Sequence, residues 1–449
     1  MLADTFDCYE ALGAPVTVLK PLVPEARCPL PLADLDALLL KAHELYRSAR
    51  PRSDAADARA RRVLPGGNTR SVLDFAPFPF RVDRAEANTL IDIDGHRYID
   101  FCGNYTAAFL GHSPAPIKEA IVAALDRGWA LGAAHEKEVD LAELICARFE
   151  SIEQVRFTNS GTEANLMAIG TALHHTGRST VGVFDRAYHG GVLGFGPSVD
   201  GPHHPLNVPH RFHVAPFDDL DGLESLFADP DLACVVIEVV QGSGGCRPAS
   251  IEFLTELRLR CTAHGVLLIF DEVMTSRLAP GGAQERFGVV PDMTTLGKYL
   301  GGGMTFGAFG GRREFLAAFD PNQGGALTQA GTFNNNIVSM SAAVAALTHE
   351  LNPEQVAAVN DLGDDLRDHL NHTFTLADAP MSATGVGSMV CIHAVDDRLV
   401  ELLFHAALHD GLYIAPRGFM ALSMAITAEN CDALIASISD FLTSLDQPL

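Results

Sequence analysis

Three runs in this 449-residue chain are apolar almost without interruption: TVGVFD (180–185), ACVVIEVV (233–240) and VLLIFDE (266–272). A strand with one face in water alternates apolar and polar side chains, so a continuous run demands cover on both faces. Helical patterns supply that cover. SGTEANLMAIGTALHHTG follows the short strand VRFTNS (155–160), and IEFLTELRLRCTAHG leads into the third run. Two further helices, PIKEAIVAALDRG and EKEVDLAELICARF, lie upstream. Strand, helix, strand repeated in this way implies the α/β class, with a mainly parallel sheet and helices on both faces. Ligands on such sheets gather at the carboxyl ends of the strands, where Ser160, Glu238 and Asp271 fall.

The ends of the chain have a different grain. LADLDALLLKAHELYRSAR (32–50) spaces its apolar residues helically, and SDAADARARR extends a polar helix. Residues 1 to about 62 thus read as an arm, and the expectation is that it packs on a dimer partner. VLPGGNTRSVLDFAPFPF then leaves Arg70 on a loop beside Phe75, Phe78 and Phe80. A hairpin follows, centred on Asp94-Gly95. Beyond about 335 come two helices, the strands GVGSMVCIHAV and LYIAP, and a closing helix, ENCDALIASISDFLTSL. The expected division is 1–105 as arm and part of a small domain, 106–334 as the large domain, and 335–449 as the remaining small α+β domain.

The formal charge of −24 argues against nucleic acid and anionic membranes, whose phosphates need a basic surface. No apolar run reaches the roughly 18 to 20 residues that span a bilayer. MLADTFDCYE carries acids where a signal peptide would carry positive charge. Nine scattered cysteines without a C-x-x-C pair read as reduced thiols. The expectation is a cytoplasmic protein.

Asp271 ends a run of apolar residues, and a buried carboxylate needs a partner. A pyridinium N–H is one; a structural helix cap is the other reading. Lys298, the last of five lysines, precedes Gly301, Gly302 and Gly303. Its ordinary reading is a surface lysine, but apolar Leu296, Tyr299 and Leu300 surround it. A lysine that forms a Schiff base must be partly desolvated. The acid and the lysine together suit pyridoxal phosphate. Ser160-Gly161-Thr162-Glu163 opens a helix, either as a phosphate site on free N–H groups or as a plain capping box. Tyr188, in YHGG, stands where a ring can stack on a flat cofactor. Gly331-Thr332 is a second spot suited to phosphate. His203, His204, His210 and His213 lack ligand spacing, and no metal is expected.

These motifs occur in an order that resembles a family. SGTEANLMA, RAYHGG, VVIEVVQGSGG, FDEVMTSR, TLGKYLGGGM and GTFNNN succeed one another as in class III, fold-type I aminotransferases, over roughly residues 60 to 445. The resemblance implies a pyridoxal 5′-phosphate enzyme of two domains. It makes Lys298 the Schiff-base lysine and Asp271 the partner of the pyridine nitrogen. Val273 and Tyr188 would pack on the two ring faces, with Glu238 close by. Ser160, Gly161 and Thr162 would hold the phosphate, together with Thr332 from the second subunit of a homodimer with shared active sites.

Within the family, Met274 replaces the usual glutamine of ornithine- and 4-aminobutyrate-type members. Val239 replaces a proline. Ser243 replaces the glutamate that pairs with a switchable arginine. The chain is similar instead to the branch holding glutamate-1-semialdehyde aminomutase and the β-amino-acid aminotransferases. GGNTRSVLDFAPFPF, GTFNNN and APRGFMALS are similar to β-phenylalanine aminotransferases. The segment FGPSVDGPHHPLNVPH is unlike the Ser/Gly/Ala-rich gating loop of the aminomutases. Arg70 and Arg417 match carboxylate-binding positions of the β-amino-acid branch, and the phenylalanines beside them suit an aryl substituent. The implied reaction moves the amino group of a β-amino acid to 2-oxoglutarate or pyruvate by a ping-pong route. An aminomutase or another class III ω-aminotransferase is the alternative.

Overall fold

The computed structural model describes residues 32–196 and 205–445. The acidic N-terminus, His203 and His204, and part of the proline- and histidine-rich segment lie outside the described residues.

Seven strands form the main sheet: β1 (Gln154–Thr158), β2 (Thr180–Phe184), β3 (Arg211–Ala215), β4 (Leu232–Ile237), β5 (Leu267–Asp271), β6 (Met293–Gly297) and β7 (Gly307–Gly311). Their order across the sheet is β1-β7-β6-β5-β4-β2-β3. Every neighbouring pair is parallel except the two that β7 makes, with β6 and with β1. The sheet is therefore mainly parallel, as its apolar runs imply. All strands but β7 end on the same rim.

The three continuous runs are buried because each face meets a helix. Helix α3 (Gly161–Thr176) covers one face, setting Ala164, Ala168, Ile169 and Ala172 against Val181, Val183, Val236 and Ile269. Helix α4 (Ile251–His264) covers the other, where Phe253, Leu254, Leu257 and Cys261 meet Val235, Ile237, Leu268 and Phe270. The alternation along β5 thus sorts Ile269 to one helix layer and its neighbours Leu268 and Phe270 to the other. Each such aliphatic or aromatic side chain contributes about 1.5–3 kcal/mol by leaving water. Helix α3 stops at Gly177, whose φ of 67° is the left-handed cap that glycine adopts without a Cβ penalty.

The rest of the chain brings its two ends together. The hairpin pairs Thr89–Asp92 with Arg97–Asp100 around Asp94-Gly95, and Leu412–Tyr413 adds to its far side in parallel. Met381–Val386, Met389–Ala394 and Phe419–Ala421 make a separate antiparallel sheet. Helix α1 (Leu32–Ala49) lays Leu35, Leu39 and Tyr46 into the core of its own chain, against helix α6 (Asp397–His409). Between them in sequence lie α2 (Pro51–Ala60) and α5 (Pro353–Leu376), and Ala428–Leu445 closes the chain.

One expectation fails here. Phe78 and Phe80 are buried, and Phe75 packs edge-on against Tyr46 and Phe404. Phe80 stacks on Tyr98 and meets Tyr413 edge-on. These rings belong to the main apolar core around α1, α6 and the hairpin, and line neither of the clefts described below. Among the described residues, no helix is long and apolar enough to cross a membrane, and the seven cysteines are all unpaired.

Candidate active site

Strand ends of the main sheet open onto a cleft of about 970 Å³. Ser160, Gly161 and Thr162 reach it from the end of β1, Tyr188 from beyond β2, and Glu238 from β4. Asp271 and Val273 come from β5, and Lys298 from β6. The parallel direction of these strands brings residues far apart in sequence to one rim.

Asp271 is buried and held on both oxygens. Its Oδ2 accepts from Asn165 Nδ2 at 2.8 Å and lies 2.8 Å from His189 Nδ1; its Oδ1 accepts from Val273 N at 3.1 Å. Asn165, on α3, also donates to the His189 carbonyl at 2.9 Å and accepts from Thr295 Oγ1 at 2.7 Å. Burial disfavours a charged His189, yet the hydrogen bond and charge of Asp271, with the charge of Glu238, raise its pKa on balance. Its Nε2 is buried and has no hydrogen-bond partner. Burial pushes Glu238 up to about 7, His189 pulls it back and the Asp271 charge raises it again. The backbone N–H groups of Tyr188 and Gly242 donate to its two oxygens at 2.9 and 3.1 Å.

Lys298 stands directly after β6 with a φ of 53°, in the left-handed region that non-glycine residues seldom occupy. Burial lowers its pKa to about 8, against the opposing charges of Asp271 and Glu238. Strain at a single residue of this kind persists only when the surroundings over-determine it. Here β6 on one side and the turn Lys298–Gly301 on the other fix it.

The start of α3 is capped, and its free N–H groups suit an anion. Ser160 Oγ accepts from Glu163 N at 3.2 Å, while Glu163 Oε2 reaches back to Asn159 N at 2.9 Å, one residue before the expected box partner. The first N–H groups of the helix have no intrahelical acceptor, and the dipole favours negative charge there. Close packing needs the missing side chains: a Cβ on Gly161 would lie 2.7 Å from Val273 Cγ2, and one on Gly190 would strike the Thr162 hydroxyl.

The two arginines come together from opposite ends of the chain. Arg70 lines the cleft and donates to Asn104 Oδ1 at 2.8 Å. Its guanidinium carbon is 5.8 Å from the centre of the Tyr105 ring, and that of Arg417 is 5.7 Å from the same ring. Arg417 lines a second cleft of about 710 Å³, whose wall the first cleft shares through Tyr188 and Gly190. Thr332 is exposed and does not line the cleft of its own chain. The apolar lining comes from Leu110, Ile117, Ile121 and Phe306 in place of the loop phenylalanines.

Sequence reasoning passed over Asn165 and His189. The available signal was a polar residue on an otherwise apolar stripe, since Asn165 adjoins buried Ala164 and is itself 1 % exposed. The donor set fits pyridoxal phosphate: a carboxylate at a strand end, a desolvated lysine, helix N–H groups and a glycine cradle that a Cβ would fill. Asp271 and Lys298 would hold the ring and aldehyde ends, and the start of α3 the phosphate.

Residues 74–442 match the family Aminotransferase class-III. The β-phenylalanine transaminase of Variovorax paradoxus is 44% identical over 425 residues, which cover 91% of this chain and 97% of that one. A crystal structure of a β-phenylalanine aminotransferase from that organism superposes with a TM-score of 0.88, covering 91% of this chain and 98% of the other. An ω-transaminase from Sphaerobacter thermophilus gives 0.82 at 35% identity, covering 87% and 97%. A glutamate-1-semialdehyde aminomutase from Pseudomonas aeruginosa gives 0.85 at 25% identity, covering 93% and 99%. With the motifs in order and the strand ends converging as described, the chain belongs to the class-III aminotransferases, pyridoxal-phosphate enzymes of fold type I.

Proposed function

We propose that this aminotransferase takes a β-amino acid as donor, one with an apolar or aryl side chain. The observation that carries the reading is the pair of guanidiniums within 6 Å of the Tyr105 ring, one on the cofactor cleft and one on its neighbour. A planar guanidinium fork matches a carboxylate bidentately. One arginine serves the donor's carboxylate and the other the keto acid that accepts the amine, 2-oxoglutarate or pyruvate. Leu110, Ile117, Ile121 and Phe306 offer the donor's side chain an apolar wall. The relative at 44% identity, a β-phenylalanine transaminase, supports the same assignment.

Bound pyridoxal phosphate supplies an electron sink for the carbon that loses its proton. Asp271 keeps a proton on the pyridine nitrogen, and Asn165 and His189 fix that carboxylate in place. The Lys298 amine, released by the incoming donor, takes the proton from the amino-bearing carbon and delivers it to the C4′ atom of the cofactor. Its lowered pKa keeps a useful fraction neutral near pH 7 to 8. Val273 and Tyr188 would flank the ring, and the Gly161 and Thr162 N–H groups would hold the phosphate, with the hydroxyl of Ser160. Water supplies the keto oxygen as the donor leaves as a β-keto acid, and a second half-reaction gives its amine to the acceptor.

Thr332 completes the phosphate site from a second subunit in this reading. Its neighbour Phe333 is 64% exposed, and Trp129 and Leu131 are exposed nearby, where Asn336 Nδ2 approaches the Trp129 carbonyl at 3.5 Å. Such a patch suits a partner face. The domain boundaries near 105 and 334, and a cytoplasmic location for a chain whose described cysteines are all unpaired, belong to the same reading. The test is a donor panel of β-, ω- and α-amino acids against 2-oxoglutarate and pyruvate, with glutamate 1-semialdehyde as control. Aryl β-amino acids should give the highest kcat/KM. Preference for glutamate 1-semialdehyde, or for donors without a carboxylate, overturns the proposal.

A further inference from the structure

Far from the cleft, α1 and α6 bring three metal-ligating side chains together. His43 on α1 faces Glu401 and His405, which sit one turn apart on α6 and so share a helix face. One ligand atom from each of the three falls within 4.8 Å of the others. His43 Nε2 and Glu401 Oε1 are 2.9 Å apart, and the two imidazole rings meet edge-on at 5.0 Å.

His405 is the informative member. It is 6% exposed, and neither ring nitrogen has a hydrogen-bond partner. The Ala76 carbonyl influences the ring without closing a hydrogen bond of good geometry. A buried polar group without a partner is uncommon in a folded protein. Helix-to-helix packing alone would be served as well by an apolar side chain at this position, which Tyr46, Phe75 and Phe404 already surround. Burial above all, with the Arg50 guanidinium nearby, keeps the ring neutral, its pKa lowered to about 4. A neutral imidazole is the form that ligates. Arg50 itself is engaged by Tyr98 and Asp92.

We propose that His43, Glu401 and His405 form a binding site for a divalent transition cation such as zinc, which staples α1 to α6. Two imidazoles and one carboxylate select zinc, cobalt or nickel over the oxygen-seeking magnesium and calcium. Zinc–nitrogen bonds of about 2.0–2.1 Å place tetrahedral ligand atoms roughly 3.3 Å apart, so side-chain adjustments of about 1 Å close the site. The side chains of His43 and Glu401 are 23% and 34% exposed, which gives the ion a path and leaves room for a water as fourth ligand. The cation displaces the hydrogen bond between His43 and Glu401 and takes neutral imidazoles as ligands, so binding weakens in acid.

The test uses the untagged, chelator-treated holoenzyme. Zinc is titrated against a chromophoric chelator, and cobalt is followed by its visible d–d bands. One site per chain of micromolar or tighter affinity is expected, with intense tetrahedral-type cobalt bands and a melting temperature raised by zinc but not by magnesium. His43→Gln, on the more exposed partner, should lower affinity at least tenfold and remove the cobalt bands while cofactor absorbance stays unchanged. His405→Leu should abolish binding yet keep the fold. Binding no tighter than millimolar, or a stoichiometry that His43→Gln and His405→Leu leave unchanged, overturns the proposal.

Discussion

Gly161 is the residue whose replacement most directly tests the proposed seating of the cofactor. Its φ is unremarkable, so alanine meets no backbone strain, and helix propensity alone favours alanine by up to about 1 kcal/mol. The obstacle is Val273. The new Cβ would sit 2.7 and 2.8 Å from its two γ-carbons, where carbon atoms prefer about 3.5–4.0 Å. Val273 cannot retreat freely, because its N–H is tied to Asp271 Oδ1 and its Cγ1 stands so near Gly297 that a Cβ there would lie 3.2 Å from it. The open direction is the cleft. In the apoprotein the valine swings there at little cost; on loading, the ring must push it back. Overpacking of this kind costs about 1–3 kcal/mol, which is about a 5- to 150-fold weaker affinity for pyridoxal phosphate. Titration of apoenzyme by visible absorbance measures it for Gly161→Ala, Val273→Ala, the double variant and the parent. Val273→Ala removes the obstacle, so the double variant should bind more tightly than Gly161→Ala alone, a favourable coupling of at least about 1 kcal/mol. Affinity within twofold of the parent for Gly161→Ala, or additive effects in the cycle, refutes the argument.

The rate of cofactor loading should climb with pH and level off above about 8, since the neutral Lys298 amine is the attacking form and burial has lowered its pKa from 10.5. Stopped-flow mixing of apoenzyme with cofactor reads this; a rate still rising at pH 10 contradicts it. Asn165→Ala removes hydrogen bonds to Asp271, His189 and Thr295, costing about 1–3 kcal/mol and lowering the melting temperature by a few degrees. Asn165→Asp, which sets a second carboxylate against the first, should be worse; calorimetry of both decides. Arg70→Ala and Arg417→Ala should each raise KM about 10- to 100-fold for one of the two acidic substrates, a charged hydrogen bond being worth about 1.5–3 kcal/mol. An amine donor without a carboxylate serves as the control, and unchanged KM for both substrates in both variants contradicts the assignment.

What was legible in the sequence follows what each residue type must do alone. VLLIFDE announces β5 because five apolar residues in a row have nowhere to go but between two layers. GAFGG hides β7 for the opposite reason: glycine carries no strand preference, and what keeps that segment extended is pairing on both edges. RFHVA and MTTLG likewise become β3 and β6 through their neighbours. Asp271 and Lys298 stand out because a charge beside apolar residues needs a chemical reason. Asn165 does not, since an uncharged amide inside a helix looks like a small loss of propensity until the acid it supports is seen. The phenylalanines near Arg70 misled because proximity in sequence says nothing about which way a ring points. The meeting of Arg70 and Arg417 at Tyr105 has no local signal at all; it depends on how the two chain ends fold onto the rim.

The antiparallel strand β7 lets the chain that leaves β1 reach across the rim. In the sheet β7 stands between β1 and β6, yet a Cβ on Gly297, at the end of β6, would lie only 3.5 Å from the Gly161 nitrogen. Because β7 runs the other way, it begins at this rim, and it begins with glycine: a Cβ on Gly307 would strike the Ser160 carbonyl. The low head of β7 is thus an underpass, over which the entry to α3 crosses to the strands that carry the lysine and the acid. The strand itself is built narrow: Cβ atoms on Gly310 and Gly311 would come within 2.8 and 2.7 Å of the Gln154 and Asp292 carbonyl oxygens. A side chain at Gly307 would raise that crossing and part the start of α3 from Lys298 and Asp271 without changing a single residue in the site.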